Sequence, residues 1–304
     1  MGILKPHIDI FCKLKKKELS LFKNSLLSVS QNAVYATENE VKKIFISNNL
    51  EASLVSTTVN KRNKIPDWFN TKYDNNINAQ YLFSLLGSKT IVTSDVSRYE
   101  NPDVIIDLNK SVKRKFHNKF DNIIDMGTLE HIFNIPTALN NYKKMLRKNG
   151  YIIIATTCSN LIDHGFYSFS PTIFFDFFDK NGFEIKNCFL REYSPFSYEY
   201  GSKLYKYETV GQEIPFISNK SVEVFVVAKK IYNKLKYISP IQGTYFNNYY
   251  WRNKNKKYKK NTKKRSKYYV ILRNVFIKFI SYLPFYFEKK LFMYIRGKNI
   301  TRID

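Results

Sequence analysis

The sequence predicts a doubly wound α/β domain built on a mostly parallel sheet. Three observations carry this. Apolar, β-branched runs such as YIIIATT (151–157) have no polar face, as expected of strands covered by helices on both sides. Between such runs lie segments whose apolar residues recur at three and four residues, the period of a helix packed by one face. The links between them are short, so neighbouring strands run parallel through right-handed crossovers.

The elements follow in order. Residues 11–60 read as helical and polar-amphipathic, which makes 1–60 a helical N-terminal segment. Residues 79–86 place Tyr81, Leu82, Leu85 and Leu86 on one helix face, closed by Gly87. TIVTSD (90–95) and VIIDL (104–108) are strands that end at or beside an acid, and FDNIIDM (120–126) is a third. A helix over 136–148 buries Ala138, Leu139, Tyr142, Met145 and Leu146; Asn134 caps it, Pro136 suits its first turn and Asn149-Gly150 ends it. After the 151–157 strand, Ser170 caps a helix that starts at Pro171, buries Ile173, Phe174, Phe177 and Phe178, and stops at Asn181-Gly182. FEIKNCFL (183–190) and VEVFVVA (222–228) are the last strands. The α/β domain spans 61–230, and a basic, aromatic-rich tail occupies 231–304.

Composition removes several functions. The 304 residues hold ten glycines, and no two of these are closer than Gly201 and Gly211. Cofactor loops that need two close glycines, the phosphate P-loop and the GxGxxG fingerprint, are therefore excluded. Cys12, Cys158 and Cys188 have no metal-binding or disulfide spacing, which fits a reducing cytoplasm. The N-terminal basic run follows its short apolar stretch, the reverse of a secretory signal. Cys158 reads as a buried thiol.

In open α/β sheets ligands bind beyond the carboxyl ends of the strands. Asp95 ends one strand, where a carboxylate can accept both hydroxyls of a ribose. Asp107 ends the next, with Leu108 beside it to pack on an adenine ring. Asp125, Gly127, Glu130 and His131 follow the third, and Gly127 allows close backbone approach. His164 lies beyond the 151–157 strand, over the same end of the sheet, where it can serve as a general base. Tyr167 and Phe169 accompany it.

FDNIIDMGTLEHIFNIPTALNNYKKMLRKNGYIIIATT, preceded by SDVSRYENPDVIIDLN and followed by HGFYSFSP (164–171), resembles class I S-adenosylmethionine-dependent methyltransferases. It is similar to a branch of these that carries GTLEH and HGFYxFSP segments and is associated with bacterial surface-glycan pathways. The resemblance covers about residues 70–230. It implies a Rossmann-like methyltransferase fold and S-adenosyl-L-methionine as cofactor, with Asp95 on its ribose, Asp107 and Leu108 at its adenine, and Asp125 to Gly127 along its methionine. Related O-methyltransferases place the Glu and His of an LEH-type segment near substrate or a metal, which makes Glu130 and His131 catalytic candidates beside His164. No metal is assigned. The implied reaction is O- or N-methylation of a glycan, a glycan precursor or a small molecule. The family's glycine-rich first loop is expected at NTKYDNNINAQ (70–80), where no glycine stands. A catalytically degenerate scaffold at the membrane is therefore the second reading, and a nucleic-acid methyltransferase the third.

The charge is uneven. Of the net +25, residues 229–304 supply +19, with 21 Lys and Arg against Glu288 and Asp304. WRNKNKKYKKNTKKRSK (251–267) contains no acid, and beyond it a helix with a broad apolar face is expected from Tyr268 to Leu283. A polybasic stretch beside an apolar face suits an anionic membrane surface, which places the protein at the inner membrane face. The same charges, interleaved with Trp251, Tyr258, Tyr268 and Tyr269, leave nucleic acid as the alternative partner. Removing residues 251–287 is expected to abolish co-sedimentation with anionic vesicles. Loss of RNA binding with vesicle binding intact would assign the tail to nucleic acid instead.

Overall fold

A computed structural model describes residues 2–52, 75–194, 202–209, 216, 218–233, 236–243 and 300–302. In chain order these form α1 (Lys5–Lys17), β1 (Asn24–Val29), α2 (Glu38–Ser47), α3 (Ala79–Leu85), β2 (Ser88–Asp95), β3 (Val104–Ile105), β4 (Phe120–Met126), α4 (Ile135–Met145), β5 (Leu146–Ser159), α5 (Thr172–Lys180), β6 (Phe183–Tyr193), β7 (Lys203–Tyr207), β8 (Ser221–Lys230) and β9 (Ile300–Arg302). They assemble into one sheet, in the order β3-β2-β1-β4-β5-β8-β6-β7-β9. The first five of that order run parallel. β8 enters antiparallel beside β5, and β6, β7 and β9 alternate from there. The fold class is the one the sequence predicts.

Helices cover both faces. Phe11, Leu82 and Phe83, from α1 and α3, pack on Ile124, Ile153 and Val227. Ala138, Leu139, Phe174 and Phe178, from α4 and α5, pack on Ile123, Ile152 and Val226. This double cover explains why Ile152, Ile153 and Ile154 are all fully buried and why their run shows no alternation.

One reading is corrected. The described part of 11–60, residues 11–52, is not a helical appendage, because β1 lies between β2 and β4 in the middle of the sheet. Its sequence, NSLLSV, is short and half polar, and long-range contacts place it. Asn122 accepts the Phe22 amide at 3.2 Å and donates to the Lys23 carbonyl at 2.9 Å. Asp121 accepts the amide and hydroxyl of Ser25 at 3.1 and 2.6 Å. The FDN triplet that opens β4 thus holds the start of β1. The 60/61 boundary lies outside the described residues, as does the tail segment 251–287. Residues 236–243 belong to the body: Asn181 accepts the Ile238 amide, and Asp176 accepts that of Gly243. No described helix is long and apolar enough to cross a membrane.

Smaller departures sit at element ends. α4 stops at Met145, and LRKNG already belongs to β5. α5 begins at Thr172, one residue beyond the expected start, with the Ser170 hydroxyl accepting the Thr172 amide at 3.4 Å.

A buried ionic cluster joins the N-terminus to the antiparallel half. Arg191 on β6 and Glu223 on β8 face each other in register, bonded through Nε at 3.2 Å and Nη2 at 3.0 Å. His7 of α1 completes the cluster. Its Nδ1 accepts the Leu4 amide at 3.1 Å, so Nε2 carries the proton and donates it to Glu223 at 3.0 Å. Burial works to raise the Glu223 carboxyl, but Arg191 and then His7 overcome it and hold the group below the ordinary carboxylate range. Removing one member leaves buried charge unpaired. Glu223→Gln should cost about 3–5 kcal/mol in chemical denaturation. The double variant Glu223→Gln/Arg191→Met should cost less than the sum of the two single changes, because no charge is left alone.

Candidate active site at the carboxyl ends of the strands

From β1 the chain turns through α2 and α3 to β2 on one side. From β4 it turns through α4 to β5 on the other. The ends of β1 and β4 therefore flank the switch point of the sheet, where open α/β folds bind ligands. The sequence-predicted residues divide across it.

On the first side lies Asp95, at the end of β2 and partly exposed. Its Oδ1 accepts the amide of Ser97 at 2.9 Å and its hydroxyl at 3.3 Å; among the described residues, Oδ2 has no hydrogen-bond partner. Asp107 follows β3, and its carboxylate turns back on its own loop. Oδ1 accepts the Asn109 amide at 3.0 Å, and Oδ2 pairs with Lys110 at 3.0 Å. Leu108 is buried in the core beside it in sequence, an apolar floor rather than an exposed stacking face.

The first loop is not where the sequence reading puts it. The loop that leaves β1 at the switch point is SQNAVYAT (30–37), and residues 75–78 only lead into α3. This loop has no glycine either, and its fold shows what replaces one. Ser30 takes a left-handed φ of 65°, and its amide donates to the Ser94 carbonyl at 2.7 Å. Ile3 donates to the Ala33 carbonyl at 2.7 Å and accepts the Tyr35 amide at 2.8 Å, so the N-terminal segment straps the loop from outside. Thr37 and Glu40 then start α2 with a capping box.

At the switch point Gly127 has a φ of 95°, where a side chain would be strained. The resemblance places Asp125 along the cofactor, and in this structure the side chain turns inward. Its side chain is fully buried. Oδ1 accepts the Thr128 amide at 2.8 Å, and Oδ2 accepts the Tyr142 hydroxyl at 2.6 Å. β4 is covered on both faces, so its last acid points into the α4 side rather than out of the sheet.

On the second side the three catalytic candidates meet. Glu130 and His131 sit in the 3₁₀ turn Leu129–His131 that follows β4. His164 comes from the loop beyond β5. Glu130 is fully buried; its Oε2 accepts the Thr156 hydroxyl at 2.6 Å, and its Oε1 lies 3.6 Å from Nε2 of His164. The rings of His131 and His164 stand 5.2 Å apart. Loss of water around one side of its ring holds His131 below its ordinary pKa; the Glu130 carboxylate pulls it up and His164 pushes it down again.

The HGFYSFSP segment mounts this arrangement. The Phe166 amide donates to the Glu130 carbonyl at 2.8 Å, the Tyr167 hydroxyl to the Phe133 carbonyl at 2.9 Å, and the Phe169 amide to the Thr157 carbonyl at 2.7 Å. Asp163 takes a φ of 61°, which turns the loop just before His164. A Cβ at Gly165 would meet the Glu130 carbonyl oxygen at 2.8 Å, so only glycine lets the loop lie on the turn. Phe169 is core, whereas Phe166 and Phe133 are exposed and meet edge to face at 5.8 Å. Thr156 and these two aromatics were missed by sequence reasoning: Thr156 reads as one residue of a buried strand, and nothing local marks a surface phenylalanine. Cys158 is half-buried rather than fully buried, and loss of water lifts its thiol to about 11. A groove of about 460 Å³ opens at the β3 edge beside Arg98, Asp103, Lys113, Lys115 and Phe116, and none of the candidate residues line it.

No family model and no curated protein matches the sequence. Among solved structures the chain is similar to a SAM-dependent methyltransferase of Archaeoglobus fulgidus, at 10% identity over 73% of this chain and 94% of that one, with a TM-score of 0.37. It is similar to the 1,6-didemethyltoxoflavin-N1-methyltransferase of Burkholderia thailandensis, solved with 1,6-didemethyltoxoflavin and S-adenosylhomocysteine, at 10% identity over 74% and 78%, with a TM-score of 0.34. It is also similar to a TehB-like SAM-dependent methyltransferase of Corynebacterium glutamicum, at 12% identity over 72% and 86%, with a TM-score of 0.35. Nothing rests on likenesses of this size; the strand order assigns the Rossmann-like architecture.

Asp125 gives this site a pH signature. Burial is the main cause that raises its carboxyl from 3.8 to about 7, against the Tyr142 hydroxyl bond. Between these values the folded chain holds a proton that the unfolded chain has released. The group's stabilising contribution is therefore full below about pH 4 and is lost as pH rises through about 7. Thermal melts of Asp125→Asn should show a shallower fall in stability across that window than the parent chain.

Proposed function

We propose that this chain is an S-adenosyl-L-methionine-dependent methyltransferase acting on a hydroxyl or amine of a small molecule, a glycan or a glycan precursor. The observation that carries the reading is the division of the strand ends at the switch point. Asp95 and the strapped first loop lie on one side of Gly127, and Glu130, His131 and His164 lie on the other. S-Adenosylmethionine supplies a methyl group already activated by its cationic sulfur, so the protein has mainly to position both partners and take one proton.

The residues present fit that cofactor. It carries no phosphate and needs no anion-binding nest. A ribose suits the unpartnered Oδ2 of Asp95, and Gly127 lets the backbone come close. Asp107 serves by shaping its turn, and Leu108 by supporting the floor. On the acceptor side, His164 with Glu130 and His131 handles the proton, and the exposed Phe133 and Phe166 offer faces on which a sugar or planar acceptor can stack. We further propose that the tail holds the protein at an anionic membrane through 251–287, the inner face of a cytoplasmic membrane being the setting. The glycine-free loop favours one second reading, a scaffold that has lost the cofactor.

Calorimetry separates the two. Millimolar S-adenosylmethionine should bind the purified chain, and Asp95→Ala should weaken binding by about 1.5–3 kcal/mol, the value of a hydrogen bond to a charged group. Absence of binding would leave the scaffold reading standing.

A further inference from the structure

We propose that Glu130, His131 and His164 form a binding site for one divalent cation of the zinc class, with a coordination position left open for an oxygen ligand. The first ground is an unmet need. Oε1 of Glu130 is buried and has no hydrogen-bond partner, and the same holds for Nε2 of His164 facing it. A buried carboxylate oxygen without a donor is costly and rare, so an arrangement that leaves two such atoms facing each other points to something between them.

The distance supports this. At 3.6 Å the two atoms are too far apart for a hydrogen bond. Two ligands each about 2.0–2.2 Å from one tetrahedral ion, however, stand roughly 3.4 Å apart. His131 supplies the third ligand: one nitrogen or oxygen atom from each of the three residues lies within 4.8 Å of the others. The widest of these gaps must close by as much as roughly 1.4 Å to reach that spacing, a movement assigned to the exposed His131 ring. A plain Glu130–His164 ion pair would leave both facing atoms unbonded and would give His131 no part.

The donor set selects the metal. Two imidazoles and one carboxylate suit zinc and its first-row neighbours rather than calcium or magnesium, which take oxygen ligands. Three protein ligands with one side open is the pattern of a reactive rather than a structural zinc site. The outer support is present as well. Thr156 donates to Oε2 and fixes the carboxylate. The loop carrying His164 is bonded to the Glu130 carbonyl through the Phe166 amide, and Gly165 allows that contact. Groups of this kind hold metal ligands in place.

The role of the ion rests on the methyl-transfer reading, whereas its binding does not. With the ion bound, the three residues hold the metal instead of taking the proton themselves: an acceptor hydroxyl at the open position, made more acidic by the ion, gives its proton to solvent. Its oxygen then bonds the methyl carbon as the carbon–sulfur pair returns to sulfur, and the ion is neither oxidised nor reduced.

The test uses the full chain, stripped with a chelator and kept free of S-adenosylmethionine. Titration with Co²⁺ should give the visible absorption bands of one nitrogen- and oxygen-ligated ion per chain, displaced by Zn²⁺. His131→Ala alters an exposed side chain and His164→Ala a half-buried one, and circular dichroism reports whether the variants stay folded. Each should weaken Co²⁺ binding beyond the roughly 10–100-fold that loss of a supporting partner alone costs, while His117→Ala should leave it unchanged. A folded parent chain without the bands, or equal binding by the parent and both histidine variants, would overturn the proposal. Because cofactor is absent throughout, either outcome is independent of S-adenosylmethionine binding.

Discussion

The candidate site hangs on one buried carboxylate. Asp125 ends the strand next to the switch point, and both its oxygens are engaged, by the Thr128 amide and the Tyr142 hydroxyl. The first bond bends the chain out of the sheet. The second fastens that bend to α4, whose buried face includes Tyr142. Gly127, Glu130 and His131 all lie in the turn so formed, and the loop from β5 then docks on the Glu130 carbonyl. Without Asp125 the turn would lose its anchor, and His164 would lose the surface on which it is mounted. A buried acid is an expensive anchor, and its raised pKa is the measure of that cost. Two well-aimed donors make it tolerable.

A second buried acid governs the opposite flank. Glu223 ties Arg191 and His7 together and thereby fixes α1 against the antiparallel half of the sheet. The strand-like bridge at Ile3, just ahead of α1, is thereby positioned to brace the first loop. The two acids act in opposite senses with pH. Glu223 is held below its ordinary value and stabilises the charged form, whereas Asp125 is held above it and stabilises the neutral form. The fold is thus squeezed from the acid side by one group and from the neutral side by the other.

Much of the parallel half was legible in the sequence, because its strands and helices carry local signals: β-branched runs, a 3.6-residue period and caps such as Asn134. β1 was not. NSLLSV has too few apolar residues to announce a central strand, and what makes it one is the grip of Asp121 and Asn122 from far along the chain. The inward turn of Asp125 was hidden for a related reason. A strand apolar on both faces shows no alternation, so the sequence does not say which way its last residue points. Glu130, His131 and His164 were each legible as candidates from their positions after strands, but their meeting was not, since it depends on a loop crossing from β5 to the β4 turn.

The scarcity of glycine takes on a different meaning once the backbone is seen. Among the described residues, nine that are not glycine adopt positive φ, and six of them are asparagine. Asparagine tolerates the left-handed region because its side chain can bond the nearby backbone. An asparagine-rich chain can therefore make turns that others make with glycine. What asparagine cannot supply is the empty space of a missing Cβ. Glycine stands at Gly165, where that space is needed against the Glu130 carbonyl, and at Gly127, where φ is wider than the asparagines adopt. The first loop kept neither device. It relies on one left-handed serine, on Asn32 bonded back to Ser28 and to the Val29 carbonyl, and on a strap, so the backbone there is shaped in part by the N-terminus. Any ligand held at that loop would then be sensitive to α1, and through His7 to the Glu223 cluster, although those residues lie away from the strand ends.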